Sequence, residues 1–193
     1  MNVTGRSGRE VSLKTVSMIK SSLLAHFFRS CVCICGIFYS TALSQMINTK
    51  APPFSGTTME GTVVRLSDYS NKVVLLDFWA SWCGPCRQEM PFLIETDKKY
   101  KDKGLVILTV NIDAELENVR KFISNLEILP GFPIILDKDT QIPPLFQIKG
   151  MPTTILIDRR GIIRYQHEGF QSEKKDVYLA EINSLLEQKQ GTQ

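Results

Sequence analysis

Residues 72–79 read Lys-Val-Val-Leu-Leu-Asp-Phe-Trp, which after Lys72 is an apolar stretch of strand length broken only by Asp77. A strand with one wet face alternates apolar and polar side chains. A continuous run has to be covered on both faces, as in the interior of a sheet layered by helices. Leu105–Val110 is a second run of the same kind. The segment between them, from about Gly84 to Lys101, is long enough for a helix, with a kink expected at Pro91. Buried strands alternating with helices place the chain in the α/β class.

The rest of the chain follows that pattern. Residues 45–60, rich in Thr, Pro and Gly, read as a linker and lead-in. Thr62–Leu66 suits a short edge strand. Glu115–Leu126 reads as an amphipathic helix, Phe132–Leu136 as a third strand, and Ile142–Gln147 as a short helix around two prolines. Thr153–Ile157 and Ile162–Gln166 flank Asp158-Arg159-Arg160-Gly161, a hairpin signal that makes the last two strands antiparallel. Glu173–Gln188 closes the chain as a helix.

Charge separates the first 44 residues from the remainder. They hold Arg6, Arg9, Lys14, Lys20 and Arg29 against Glu10, a net of +4. The whole chain is +3, so residues 45–193 carry −1 and lack the basic excess of a nucleic-acid-binding surface. Residues 30–43 are uncharged and mostly apolar, preceded by Lys20 and Arg29. That is short of the roughly 20 residues needed to span a bilayer unless Arg29 and His26 are included. Small residues follow, with Ala42 and Ser44 at −3 and −1 of a cleavage before Gln45. Residues 1–44 therefore read as a signal peptide or, alternatively, an N-terminal membrane anchor, with Met1 or Met18 as the start. Both readings export the domain formed by residues 45–193. Cys31, Cys33 and Cys35 fall inside the apolar run, where cysteine serves as a small hydrophobe.

Only Cys83 and Cys86 remain downstream. They sit where the first buried strand gives way to a helix. The N-terminus of a helix offers unpaired N–H groups and a partial positive charge, which favour a thiolate at Cys83. Two intervening residues set Cys86 one turn inside, within reach of a mixed disulfide on Cys83. Cys83 is thus the attacking thiol and Cys86 the resolving one. Half of a zinc site is the competing use of such a pair. Structural zinc takes four ligands, and only His167 is left to join the two cysteines; His167 reads instead as an ordinary strand-end residue.

Val74-Leu75-Leu76-Asp77-Phe78-Trp79-Ala80-Ser81-Trp82-Cys83-Gly84-Pro85-Cys86 resembles the active-site segment of thioredoxins. Arg87-Gln88-Glu89-Met90-Pro91, with Ala51-Pro52-Pro53-Phe54 upstream, is more similar to the exported TlpA/ResA-like branch. Gly150-Met151-Pro152-Thr153 resembles the cis-proline loop of the family, and Asn111-Ile112-Asp113 the end of a core strand. The resemblance spans residues 48–188. It implies a thioredoxin fold, a central mixed sheet flanked by helices, with an inserted helix–strand unit at about 114–137. It implies that Asp77, buried and so raised in pKa, relays protons to Cys86. It places Glu89 near the cysteines, although a helical Glu equally suits a solvated face. Pro152 is expected to be cis, presenting the Met151 backbone to a substrate strand. Trp82 would shield the site and Trp79 pack in or beside the core. Gly84 and Pro85, the thioredoxin pair, bring no charge to Cys83. A thiol pKa nearer about 7 than about 4 is expected, and a reductant rather than a strong oxidant.

The expected activity is therefore reduction of disulfides in exported proteins, in the periplasm or on the outer face of the cytoplasmic membrane. The Cys83–Cys86 pair is the redox group, without a cofactor or a metal. A membrane-bound thiol donor and a monomeric state go with this reading, and apocytochrome c is the client the resemblance implies. Two alternatives remain. A peroxiredoxin-like enzyme would need a lone peroxidatic cysteine. A copper-binding assembly factor would use Cys-x-x-x-Cys with a distant histidine.

Overall fold

The computed structural model describes residues 46–188. The segment read as a signal peptide or anchor, with Cys31, Cys33 and Cys35, lies outside them. Among the described residues no helix is long and apolar enough to cross a membrane.

Seven strands form one mixed sheet. In chain order they are β1 (Ser55–Thr58), β2 (Val63–Arg65), β3 (Val73–Trp79), β4 (Leu105–Asn111), β5 (Ile134–Leu136), β6 (Thr153–Ile157) and β7 (Ile163–Glu168). The helices are α1 (Gly84–Tyr100), α2 (Leu116–Ser124) and α3 (Lys175–Glu187). The spatial order is β2-β1-β5-β4-β3-β6-β7. β3, β4 and β5 run parallel, while β6 is antiparallel to both β3 and β7. This is the thioredoxin fold, and α2 with β5 supplies the added helix–strand unit after the second core strand.

β3 is buried at all seven positions, as its composition requires. Its pleat sends Val73, Leu75 and Trp79 to one face and Val74, Leu76 and Phe78 to the other. The first face packs under α1, α2 and α3 through Met90, Leu93, Val119, Tyr178, Ile182 and Leu185. The second is closed by Phe54, Ile142 and Phe146, with the Phe146 ring 5.6 Å from that of Phe78 and 5.7 Å from that of Phe54. Period 2 puts Asp77 on the first face, beneath α1.

The linker expected at residues 45–60 is instead part of the sheet. The Asn48 N–H donates to the Ile163 carbonyl, Lys50 bridges Ile162, and β1 pairs with both β2 and β5. Ser-Gly-Thr-Thr has no apolar alternation, so pairing rather than hydrophobic pattern makes it a strand. Gly56 is needed there because a Cβ would collide with the side chain of Ile135 on β5. Gly56→Val is expected to lose about 1–3 kcal/mol, the usual range for overpacking, measured by urea unfolding of the oxidised protein.

Helix α1 continues through Pro91. The missing N–H leaves the Arg87 carbonyl without its helical partner. The second helix spans Leu116–Ser124 rather than the full expected 115–126, and Pro143–Phe146 is a single 3-10 turn.

Candidate active site

Cys83 caps α1 with extended backbone (φ −81°, ψ 111°), and Pro85 stands in the first helical turn, where its missing N–H has no consequence. Cys83 and Cys86 are joined in a disulfide with a Cα–Cα distance of 5.3 Å. The Cys86 N–H points at the Cys83 sulfur, 3.2 Å away. The helix terminus thus aims a donor at the sulfur that would carry charge in the reduced state. Cys86 is buried, Cys83 is 6% exposed, and Gly84 and Pro85 lie on the surface. Trp82 is 68% exposed beside them, while Trp79 is buried with its ring 5.1 Å from that of Phe122.

The loop before Cys83 is held by Asp113, a residue whose role the sequence pattern does not indicate. Asp113 accepts hydrogen bonds from the Ser81 N–H (2.8 Å), the Ser81 hydroxyl (2.8 Å) and the Asn111 amide (2.7 Å). It closely follows β4, so its position depends on the parallel pairing of β3 with β4, which ends at Trp79 opposite Asn111.

The Met151–Pro152 peptide is cis. Phe78 pairs with Thr153, which brings Pro152 to the end of β3 from which the cysteine loop departs. Met151 packs against the apolar cluster that includes both cysteines.

Under α1 lie two buried carboxyls. Asp77 and Glu89 are each 1% exposed. Glu89 follows Cys86 by three residues, on the inward face of the helix with Met90 and Leu93. This decides between the two readings the sequence allows, since the side chain is not solvated. The Thr154 hydroxyl, opposite Asp77 in the β3–β6 register, donates to Glu89 Oε1 at 2.8 Å and also interacts with Asp77. Asp77 Oδ1 and Glu89 Oε2 are buried without a hydrogen-bond partner among the described residues.

Burial holds the Asp77 carboxyl well above the usual carboxylate range, and the negative charge of Glu89 pushes in the same direction. Hydrogen bonds from the Phe78 N–H and Thr154 oppose this without cancelling it. Burial also raises Glu89 to about 7, against the pull of its bond from Thr154. Two carboxyls sharing one apolar pocket do not both ionise readily, so near neutral pH the pair retains a proton. Tyr178 on α3 is raised too, by burial first and then by the charge of Glu89. Neither Thr154 nor Tyr178 is visible as a site residue in the sequence, because the sheet register and the docking of α3 bring them in. His167, the cross-strand partner of Thr154, bonds Glu181 at 2.6 Å and stacks on Tyr178 with ring centroids 4.3 Å apart.

A surface-flanked disulfide at a helix N-terminus, beside a cis-proline loop and above a buried acid pair, defines the thioredoxin-fold dithiol oxidoreductases. Both cysteines among the described residues are in that bond, whereas the peroxidase alternative asks for a lone one.

The AhpC/TSA family profile matches residues 47–166. The thiol-disulfide oxidoreductase ResA of Geobacillus kaustophilus is 36% identical over 140 residues, covering 72% of this chain and 79% of its own. A Chlorobium tepidum structure assigned as a thiol:disulfide interchange protein DsbE is 42% identical with a TM-score of 0.69, covering 72% of this chain and 97% of its own. The exposed lipoprotein thioredoxin of Streptococcus pneumoniae is 29% identical with a TM-score of 0.61, covering 69% and 100% respectively. The chain belongs to the AhpC/TSA family, as a thiol–disulfide oxidoreductase of the ResA type.

Proposed function

We propose that this enzyme is an exported reductant of protein disulfides, acting on apocytochrome c cysteines before haem attachment and recharged by a membrane-bound thiol donor. The observation that carries the reading is a buried acid pair, with Glu89 one helical turn past Cys86, combined with an uncharged Gly84–Pro85 dipeptide beside Cys83. In the reduced enzyme the Cys83 thiolate attacks one sulfur of the client disulfide, and the other client sulfur leaves as a thiolate. Cys86 then loses its proton to an ionised member of the Asp77–Glu89 pair and attacks the Cys83 sulfur. The second client sulfur leaves as a thiolate, the two client thiolates take up one proton from the acid pair and one from water, and the two electrons the client has gained leave Cys83–Cys86 as a disulfide. A donor dithiol restores the starting state by the reverse exchange. No cofactor takes part, and the protein works as a monomer. Trp82 and the Met151 backbone, next to cis-Pro152, contact the client chain.

Export is supported by the apolar run ahead of Gln45 and by the exposed pneumococcal relative. The site is then in the periplasm or on the outer face of the cytoplasmic membrane.

Equilibration with glutathione tests the direction of electron flow. Strong oxidants hold their reactive thiolate with an added partner such as a histidine, and none is contributed by Gly84 or Pro85. The expected potential is near that of thioredoxin, about −270 mV. A potential near about −120 mV, that of DsbA, would convert the assignment to disulfide formation.

A further inference from the structure

A cleft of about 350 Å³ is lined by residues at the start of α1 and of the helix of the inserted unit. Ser81 and Arg87, which bracket the two cysteines in sequence, form one wall. Asn118, Lys121 and Asn125 form the other. Their spacing of three and four residues puts them in one stripe on and just past α2. Phe122 and Leu126 supply its apolar lining, and the Phe122 ring packs against the buried ring of Trp79. Arg87 and Lys121 are both exposed and are in no ion pair among the described residues. Among the described residues no acid lines the cleft. Asp113, which holds Ser81, has its carboxylate engaged by three hydrogen bonds. Glu115 and Glu117 lie at the start of α2 and outside the lining. The positive end of α1 adds to the field of the two cations.

We infer that this cleft is an accessory binding site for an acidic stretch of the client polypeptide next to its target disulfide. The inference rests on the disulfide-reductase reading and adds a preference to it. Arg87 is four residues from Cys83, about 6 Å along the helix axis at 1.5 Å per residue. An extended client covers that distance in about two residues. The favoured acids are therefore Asp or Glu two to four positions from the client cysteine. Their carboxylates meet the Arg87 and Lys121 charges, and Asn118 and Asn125 offer amide donors to the client backbone. The cleft depends on α2, so this preference comes from the inserted unit rather than from the shared thioredoxin core.

Three disulfide-linked peptides test it, identical except for Asp-Asp, Asn-Asn or Lys-Lys at those positions. Each is reduced by the full chain, and kcat/KM is compared within each enzyme variant. The parent is expected to favour Asp-Asp over Lys-Lys by roughly three- to tenfold, the scale of two exposed ion pairs. The ratio should fall toward one in about 1 M salt, where the Debye length is about 3 Å. Lys121→Glu should reduce the ratio, and Lys121→Glu combined with Arg87→Glu should invert it. Equal rates on all three peptides, or a ratio indifferent to both charge reversals, would overturn the proposal while leaving the reductase reading intact. Failure to reduce any of the three would remove that reading and this inference with it.

Discussion

Cys83→Ser is expected to reduce disulfide exchange to the uncatalysed rate, whereas Cys86→Ser keeps the first step and loses the second. The difference follows from the two environments. Cys83 is at the helix cap, flanked by exposed Gly84 and Pro85, so a client sulfur reaches it. Cys86 is 1% exposed and is reached by Cys83 alone. With Cys83 gone the described residues hold no accessible thiol nucleophile, and the thiolate is the reacting species. With Cys86 gone the Cys83–client bond forms and loses the resolving thiol that would break it. Non-reducing gels of the Cys86→Ser variant from its native host should show long-lived adducts whose mass identifies the clients. Alkylation of the reduced protein with iodoacetamide at mildly acid pH checks the order. Labelling of Cys86 ahead of Cys83 would reverse the two roles.

The second large effect is on stability against pH. Asp77 and Glu89 have carboxyl pKa values raised by folding, so the folded state binds more protons than the unfolded one. Stability from a raised acid is fully present below its unfolded value and disappears as pH rises through its folded value. For Glu89 the window runs from 4.5 to about 7. At about 1.4 kcal/mol per pH unit the loss from Glu89 is about 3 kcal/mol. For a domain of this size that is roughly 10 °C in Tm. Thermal melts of the oxidised protein should therefore fall steeply between pH 5 and pH 8. Glu89→Gln should flatten the slope and melt higher than the parent at pH 8, since a neutral amide meets no charging penalty in the pocket. A parent and a variant with parallel pH profiles would show that Glu89 is not the group titrating. Asp77→Asn should also slow turnover by about a hundredfold or more, the scale of a lost general base, with the loss concentrated in resolution of the mixed disulfide.

Several of these features are legible in the amino-acid order alone. The doubly buried β3 follows from an apolar run without alternation, and the redox pair from two cysteines at the strand–helix junction. Asp77 is legible as a buried acid because both of its neighbours along the strand are apolar. Glu89 is legible only in part. Its spacing from Cys86, Met90 and Leu93 marks the inward face of α1, but a lone Glu on a helix is more often at the surface. Thr154 and Tyr178 are not legible, since nothing local says that β6 lies against β3 in the register that opposes Thr154 to Asp77. β1 is missed for a related reason. Ser-Gly-Thr-Thr becomes a strand through hydrogen bonds to β2 and β5, and a sequence without apolar alternation carries no sign of them. Asp113 stands in the same position, because its role exists only once β3 and β4 are side by side.

The antiparallel β6–β7 hairpin also gathers the two ends of the described residues. Asn48 bonds the start of β7 at Ile163, and Arg159, just beyond β6, donates to the Leu186 carbonyl near the end of α3. β6 begins at the redox end and finishes at the far one, so both ends of the described domain sit together about a strand length from Cys83. Seven residues of β3 set that length at roughly 23 Å. A folded unit whose described ends meet on one side and whose reactive thiol opens on the other has the layout of a cassette. Spliced into a surface loop of a carrier protein, it would project its dithiol outward while its two junctions stay side by side at the base.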